Sequence, residues 1–314
     1  MSRFRRIVDI LGRVLIGAGV LLLLFAAYQL WGTSVEESHA QSALRSQLGR
    51  EGAGTQAAPA LALAGAHDAL PTGPPKTAPS TADPPEGEPI GDIRIPAIGL
   101  DQVVVEGTGT ADLRKGPGHY IGTPLPGQSG NAAVAGHRTT YGHPFYSLDA
   151  LKVGDPVVVT TLQGVFVYDV TTAPFVVSPG DITVLENQLA DRLTLTTCNP
   201  RFSASTRLVV QATLAHSRLF GANPSRAGEA PRARPSRREP TGTLDDSLAG
   251  DSSVETAATV GWGVVLVALG VLVFVGARRF RRRRWVVYGA GLVAALVVLW
   301  FFFGAVSPLL PASF

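Results

Sequence analysis

The sequence predicts one mainly β domain joined to three membrane-spanning helices. Short β-branched runs, separated by Gly and Pro, fill residues 89–217, and three long uncharged apolar stretches lie outside that range. Many short strands without the strand-helix alternation of a parallel α/β domain favour an antiparallel or mixed β-barrel. A length of about 130 residues is ordinary for a domain with a single core.

The strands of this domain are predicted from short apolar runs bounded by turn residues. Two further stretches, at 111–115 and 145–151, have a short helical pattern. The predicted strands lie at residues 93–95, 103–105, 132–135, 157–161, 165–172, 193–197 and 208–214.

The three apolar stretches are predicted to be transmembrane helices at residues 14–31, 257–277 and 285–306. Each is long enough to cross a hydrocarbon core about 30 Å thick as a helix. We interpret the first as an uncleaved anchor, because no convincing small-residue cleavage site follows it.

Arginine clusters predict the orientation of these helices. They mark residues 1–13 as a cytoplasmic N-terminus and residues 278–284 as a cytoplasmic loop. The chain is therefore expected to be a multi-pass protein of the cell membrane, with residues 32–256 and the tail at 307–314 outside the cytoplasm. The overall charge of +3 comes from those arginine clusters, and the external region is mildly acidic. Nucleic acid is not an expected partner.

Two stretches flank the domain and resemble linkers in composition. Residues 32–88 and 218–256 are rich in Pro, Ala, Ser and Gly or in Arg, and they lack a sustained hydrophobic period. Both are predicted to be disordered tethers.

Three residues at predicted strand ends suggest covalent chemistry. Cys198, the single cysteine of the chain, ends the run at 193–197, His137 follows the run at 132–135, and Arg207 begins the last strand. A thiol paired with an imidazole can attack an amide carbonyl, and a guanidinium can stabilise the oxyanion that forms. A buried cysteine that acts only as a small hydrophobic residue is the alternative. No carboxylate cluster has metal-ligand spacing, so neither a metal nor another cofactor is expected.

The motifs around these residues resemble those of the sortases, the cysteine transpeptidases of Gram-positive cell surfaces. Residues 194–198 read Thr-Leu-Thr-Thr-Cys, residues 136–137 read Gly-His, and residues 207–210 read Arg-Leu-Val-Val. Residues 116–120, 136–142 and 197–203 are most similar to the class E group of actinobacteria. A histidine is common in that group where this chain has Asn199.

The resemblance implies a sortase-type closed β-barrel of about eight strands with short helices. It also implies a membrane-anchored enzyme that cleaves a C-terminal sorting motif between Thr and Gly. Cys198 would form a thioacyl-enzyme, His137 would protonate the leaving amine, and Arg207 would hold the oxyanion or the substrate backbone. Secreted proteins with the sorting signal and a peptidoglycan precursor amine of the lipid II type are the implied partners.

The substrate expectation is a Leu-Ala-x-Thr-Gly motif, with Leu-Pro-x-Thr-Gly as the second choice. Tyr120 is the first candidate for the ring that would select Ala, and Tyr141 is the second. Thr196 and Thr197 are expected to line the groove, with Thr197 as the better candidate for substrate contact.

Three other functions stay open at this point. A class C pilin-polymerising sortase is disfavoured, because its Asp-Pro-aromatic lid motif is represented only by Asp83-Pro84-Pro85. The absence of that motif predicts an open site. A hydrolytic cysteine protease would use the same Cys and His, and a non-catalytic surface module would need none of the three residues. His119 and His143 are expected to be surface or turn residues.

Overall fold

The computed structural model describes residues 3–53, 70–187, 190–220, 252–279 and 284–307. The chain divides into two compact units, Met1–Gly32 with Gly250–Pro311 and Thr33–Ala249 with Ala312–Phe314. Most of the predicted linker at 218–256 and nearly all of the predicted tail at 307–314 lie outside the described residues.

The larger unit contains a closed eight-stranded barrel with one extra strand. Around the barrel the strands follow the order β6-β5-β1-β2-β3-β4-β8-β9, and β9 pairs with β6 to close it. Strand β7 adds to β9. The strands are β1 Pro89–Ile95, β2 Leu100–Glu106, β3 Gly118–His119, β4 Asn131–Ala135, β5 Pro156–Thr161, β6 Gly164–Val170, β7 Phe175–Val177, β8 Arg192–Asn199 and β9 Thr206–Leu219.

The barrel confirms the predicted fold class. Its interior is filled by alternate side chains of the strands, because successive residues of a strand point to opposite faces. Leu193 and Leu195 of β8 lie there with Leu208 and Val210 of β9. The helical pieces between the strands are short: α3 Thr110–Leu113 and the 3-10 turns Pro96–Ile98, Leu148–Ala150 and Thr183–Leu185.

The linker prediction for residues 32–88 is wrong over its first part. Residues Thr33–Gly52 form a helix, α2, that packs on the outside of the barrel. Leu44 and Leu48 are buried there against Val103 and Val105 of β2. Only a few apolar residues face the barrel, so the hydrophobic pattern was too sparse to show a helix in the sequence.

Polar contacts add to this packing of α2. The Gln41 amide accepts from the backbone N–H of Val103 at 2.7 Å and donates to the Val103 carbonyl at 3.0 Å. The Arg45 guanidinium lies 2.5 Å from Asp101 and 3.6 Å from Asp92. Side-chain hydrogen bonds to the backbone of a strand such as β2 leave no hydrophobic pattern, which is a second reason why the sequence does not reveal this helix.

The last part of the predicted linker, residues 70–88, also contacts the barrel. The backbone N–H of Ala78 donates to the Gly127 carbonyl at 2.7 Å, and Gln163 donates to the Pro79 carbonyl at 2.7 Å. Ser217 of β9 exchanges hydrogen bonds with the backbone of Lys76. These backbone contacts explain how a proline-rich segment follows the barrel surface without helix or strand.

The smaller unit contains the apolar helices. They are α1 Arg3–Ala27, which continues through a π-helical turn at Tyr28–Gly32, α4 Ser252–Arg279 and α5 Arg284–Val306. Three helical stretches, in Leu11–Gly52, Thr259–Arg279 and Trp285–Val306, are long and apolar enough to span a membrane. Helices α4 and α5 pack against each other, with the rings of Trp262 and Phe301 stacked at 5.1 Å.

We expect Leu48→Ala to lower the free energy of unfolding of the barrel unit by about 2–5 kcal/mol, because it leaves a cavity in a packed contact. Val35→Ala on the same helix removes an exposed side chain and should have little effect. Thermal or denaturant unfolding of the detergent-solubilised chain measures both. Equal stability of the two variants would mean that α2 does not pack in solution.

Glu37→Gln is expected to raise the melting temperature above pH 7 and to leave it unchanged at pH 4. Burial raises the pKa of Glu37 to about 7, against the opposing effect of Arg45. The folded chain therefore binds this proton more tightly than the unfolded chain, and stability is lost as pH rises from the ordinary pKa of 4.5 through 7. Melting curves at about pH 4 and pH 8.5 test this, with exposed Glu36→Gln as the matched control. An equal gain at both pH values would contradict the titration argument.

Candidate active site

Strand pairing brings the three predicted catalytic residues to one edge of the barrel. Strand β8 lies between β4, which runs parallel to it, and β9, which runs antiparallel. The backbone N–H of Gly136 continues the β4 ladder by donating to the Thr196 carbonyl at 3.1 Å. The ends of β4 and β8 and the beginning of β9 therefore meet at the same place.

Cys198 and Arg207 lie directly opposite each other in the β8–β9 ladder. Opposite residues of an antiparallel pair share one face, with Cβ atoms about 4.5–5.5 Å apart. That face is the outer one, since Leu195 and Leu208 point into the barrel. The thiol and the guanidinium thus belong to one outer site, as the sequence predicted for two strand-end residues.

All three side chains are buried. His137 is 4% exposed, Cys198 6% and Arg207 1%. The three side chains therefore contribute little to the surface, in contrast to the expectation of an open site.

His137 is held by its backbone and lies beside an aromatic ring. Its carbonyl accepts from the backbone N–H of Phe145 at 3.2 Å, and its ring lies 5.2 Å from the ring of Tyr141. Within the described part of the chain, Nε2 has no hydrogen-bond partner. Burial and, to a smaller extent, the positive charge of Arg114 lower the pKa of His137 to about 4. The imidazole is therefore neutral near pH 7.

The Arg207 guanidinium is fixed by the loop before β9. Its Nη1 donates to the carbonyl of Ala204 at 2.8 Å and to that of Thr206 at 3.2 Å. Because these acceptors belong to the backbone, the position of the cation depends on the local chain path and not on a mobile side chain. A fixed cation is the arrangement that stabilises a developing oxyanion with least reorganisation.

Tyr120 and Tyr141 both lie beside the trio and both are buried. The hydroxyl of Tyr120 is 3.1 Å from Oγ1 of Thr196, which shares the outer face with Cys198. Tyr141 has a positive φ of 48°. Its backbone N–H donates to Thr33 of α2 at 3.1 Å, so the helix that the sequence concealed reaches the loop beside His137.

The expected substrate contact of Thr197 is not supported by its position. Thr197 alternates with Thr196 and Cys198 and shares the inward direction of Leu193 and Leu195. Its hydroxyl donates to the Gly136 carbonyl at 2.7 Å. Thr197 thus ties β8 to the chain just before His137, and Thr196 is the threonine on the reactive face.

Both His119 and His143 were expected to be surface or turn residues, and the structure agrees only for His143. His143 is an exposed turn residue with φ of 40°, as expected. His119 is fully buried, with Nδ1 2.9 Å from Glu106 and Nε2 3.0 Å from the Pro124 carbonyl. Glu106 and His119 are register partners in the parallel β2–β3 pair. No local pattern reveals a pairing between residues 13 positions apart, so this burial is not visible in the sequence.

Arg138 is a site residue that the sequence analysis overlooked. It follows His137 directly and is 5% exposed. Its Nη1 donates to the Cys198 carbonyl at 3.2 Å and to Oδ1 of Asn199 at 2.6 Å. The signal in the sequence that could have indicated a role for Arg138 is its position, as a charged residue directly after the Gly-His pair.

Comparisons with known proteins show which family this chain is similar to. A family profile described as a sortase domain matches residues 93–215. The sortase SrtE1 of Streptomyces coelicolor is 33% identical over 223 residues, which are 66% of this chain and 57% of that protein. SrtE2 of the same organism is 27% identical over 218 residues, 65% of this chain and 80% of that protein.

A solved structure is also similar in sequence. Sortase E from Streptomyces avermitilis is 40% identical, with 43% of this chain and 92% of that chain covered and a TM-score of 0.39. The chain spans little more than half the length of SrtE1, so the likeness concerns the barrel and its surroundings.

Arg114→Gln is expected to raise the pKa of His137, because it removes a positive charge that disfavours the imidazolium. Arg218→Gln removes an exposed charge at the far end of β9 and should leave that pKa unchanged. NMR titration of histidine-labelled protein measures both shifts. A His137 midpoint that stayed in place in Arg114→Gln would leave burial as the whole cause.

Proposed function

Because the chain belongs to the sortase family, we propose that it is a membrane-anchored transpeptidase that joins secreted proteins to the cell wall. One observation carries the proposal. Cys198 and Arg207 are register partners on one face, and His137 lies two residues beyond β4, the strand that adjoins β8. The neutral state of His137 near pH 7 supports its use as a base.

The reaction begins when the Cys198 thiol transfers its proton to His137 and the sulfur attacks the threonine carbonyl of a sorting motif. A C–S bond forms, and the carbonyl oxygen becomes an oxyanion that Arg207 stabilises. The C–N bond to glycine then breaks. His137 gives its proton to the departing amine, and a thioacyl-enzyme remains.

The second half of the reaction reverses these roles. An amine of a peptidoglycan precursor of the lipid II type attacks the thioester carbonyl and passes its proton to His137. The new C–N bond forms as the C–S bond breaks, and Cys198 recovers its proton. The product is a protein bound through its threonine to the cell-wall precursor.

The proposed substrate motif is Leu-Ala-x-Thr-Gly, with Leu-Pro-x-Thr-Gly as the second choice. Tyr120 is the proposed selector, because its hydroxyl contacts Thr196 on the face of the nucleophile. Tyr141 stays a second candidate through its ring contact with His137. The class C alternative gains no support, since Asp83 and Pro85 are exposed and Asp83-Pro84-Pro85 lacks an aromatic residue.

The proposed location is the outer side of the cell membrane, with the arginine-rich segments in the cytoplasm. Three helices with the length and composition of membrane spans support anchoring. Residues 1–13 and 278–284 carry the arginines that set this orientation by the positive-inside rule.

We expect the detergent-solubilised chain to exchange the glycine of a Leu-Ala-x-Thr-Gly peptide for an added oligoglycine or diamino-acid amine, and Cys198→Ala to abolish this exchange. Mass spectrometry of the products, with a Leu-Pro-x-Thr-Gly peptide in parallel, measures it. Thiol-dependent cleavage that ignores the added amine would identify a hydrolytic protease instead.

Tyr120→Phe tests the selector, because it removes the hydroxyl that contacts Thr196 and keeps the ring. If the ring selects Ala, the preference between the two peptides stays as in the wild type. A change in that preference would assign selection to the hydrogen bond.

A further inference from the structure

The sequence neighbours of the three catalytic residues are joined by hydrogen bonds. Arg138 follows His137, Asn199 follows Cys198, and Thr206 precedes Arg207. Nη1 of Arg138 donates to Oδ1 of Asn199 at 2.6 Å. Nδ2 of Asn199 donates to Oγ1 of Thr206 at 3.0 Å, and that hydroxyl donates to the Asn199 carbonyl at 2.8 Å.

Arg138 is the centre of these contacts. Besides Asn199, its Nη1 reaches the carbonyl of the nucleophile Cys198 at 3.2 Å, and its Nη2 lies 3.2 Å from Oδ2 of Asp149. A planar guanidinium can bind several acceptors at fixed angles, which a lysine ammonium does not reproduce. The side chain therefore links the loop after His137 to the end of β8 at the nucleophile.

We propose that Arg138, Asn199 and Thr206 form a positioning bridge that sets the spacing of the three catalytic side chains. The buried Arg138 charge at the Cys198 backbone also favours the thiolate of the nucleophile. Only the kinetic part of the test, peptide exchange, rests on the proposed transpeptidase function. The ionisation of Cys198 is measured by alkylation, without a substrate.

The charges around the thiol support the second part of the proposal. Two cations lie beside Cys198: Arg138 from the loop after β4 and Arg207 from β9. Burial lowers the pKa of Arg138, and Arg201 lowers it too, while Asp149 and Cys198 act in the opposite direction. Interaction between two groups is mutual, so a cation that gains from the thiolate also stabilises it.

The bridge also gives a role to Asn199, which stands at a position where the class E group that this chain resembles commonly has histidine. The Asn199 amide acts as acceptor for Arg138 and donor for Thr206 at the same time. A neutral imidazole likewise offers one acceptor and one donor. The position therefore needs a side chain with both functions, and either residue provides them.

The test uses the rate of iodoacetamide alkylation of the full chain in detergent between pH 5 and 10. Cys198 is the single cysteine of the sequence, so the rate reports its ionisation alone. Arg138→Gln is expected to raise the midpoint of the pH profile by about one unit. It is also expected to lower kcat/KM for peptide exchange by about 100-fold.

Two variants separate position from charge. Arg138→Lys keeps the positive charge but loses the planar guanidinium that binds several acceptors. We therefore expect a nearly unchanged midpoint of the alkylation profile and a fall in kcat of about tenfold. Thr206→Val removes only the last hydroxyl of the bridge and should also reduce kcat without a shift of the midpoint. If Arg138→Gln does not fold, the values of kcat and of the alkylation midpoint in these two variants decide the test.

Arg201→Gln is the matched control, because Arg201 shares Asp149 with Arg138 but bonds to the Tyr146 carbonyl instead of the nucleophile strand. It should leave both readouts unchanged. The proposal is overturned if Arg138→Gln keeps the wild-type midpoint and a kcat/KM within twofold, or if Arg201→Gln has equal effects. A shifted midpoint in a chain that exchanges no peptide would uphold thiolate stabilisation and refute the proposed substrate.

Discussion

The active site depends on one strand being paired on both sides. Strand β8 carries the nucleophile, β4 beside it ends one residue before Gly136-His137, and β9 presents Arg207 opposite the thiol. Each partner is held by backbone hydrogen bonds, so the spacing of the catalytic groups is a property of the sheet register. A slip of one residue in either ladder would turn Cys198 or Arg207 into the barrel.

The electrostatic character of the site follows from burial among cations. Arg114 acts on a histidine that burial already keeps neutral, while Arg138 and Arg207 lie beside Cys198. Such a setting disfavours an imidazolium and favours negative charge on the sulfur. In the proposed reaction, the arginines therefore supply the electrostatic stabilisation, and His137 carries the proton between the two half-reactions.

The sequence predicted what local patterns encode and missed what distant pairing creates. Strand runs, apolar helices and the strand-end positions of His137, Cys198 and Arg207 are visible as short motifs. Helix α2 was not predicted because glutamine and arginine side chains make much of its contact with β2, and polar contacts leave no hydrophobic periodicity in the sequence. The burial of His119 and the inward direction of Thr197 depend on strand neighbours that only the fold identifies.

The parallel pairing of β4 with β8 also bears on how the chain folds. The residues that must meet are about 60 positions apart in sequence, and the intervening segment contains β5, β6 and β7. Contacts of this kind require a large loop to close, which makes them slow to form. The thiol therefore gains its base only after most of the barrel has assembled. A partly folded chain therefore has the cysteine without its base, and the assembled barrel is what couples the two.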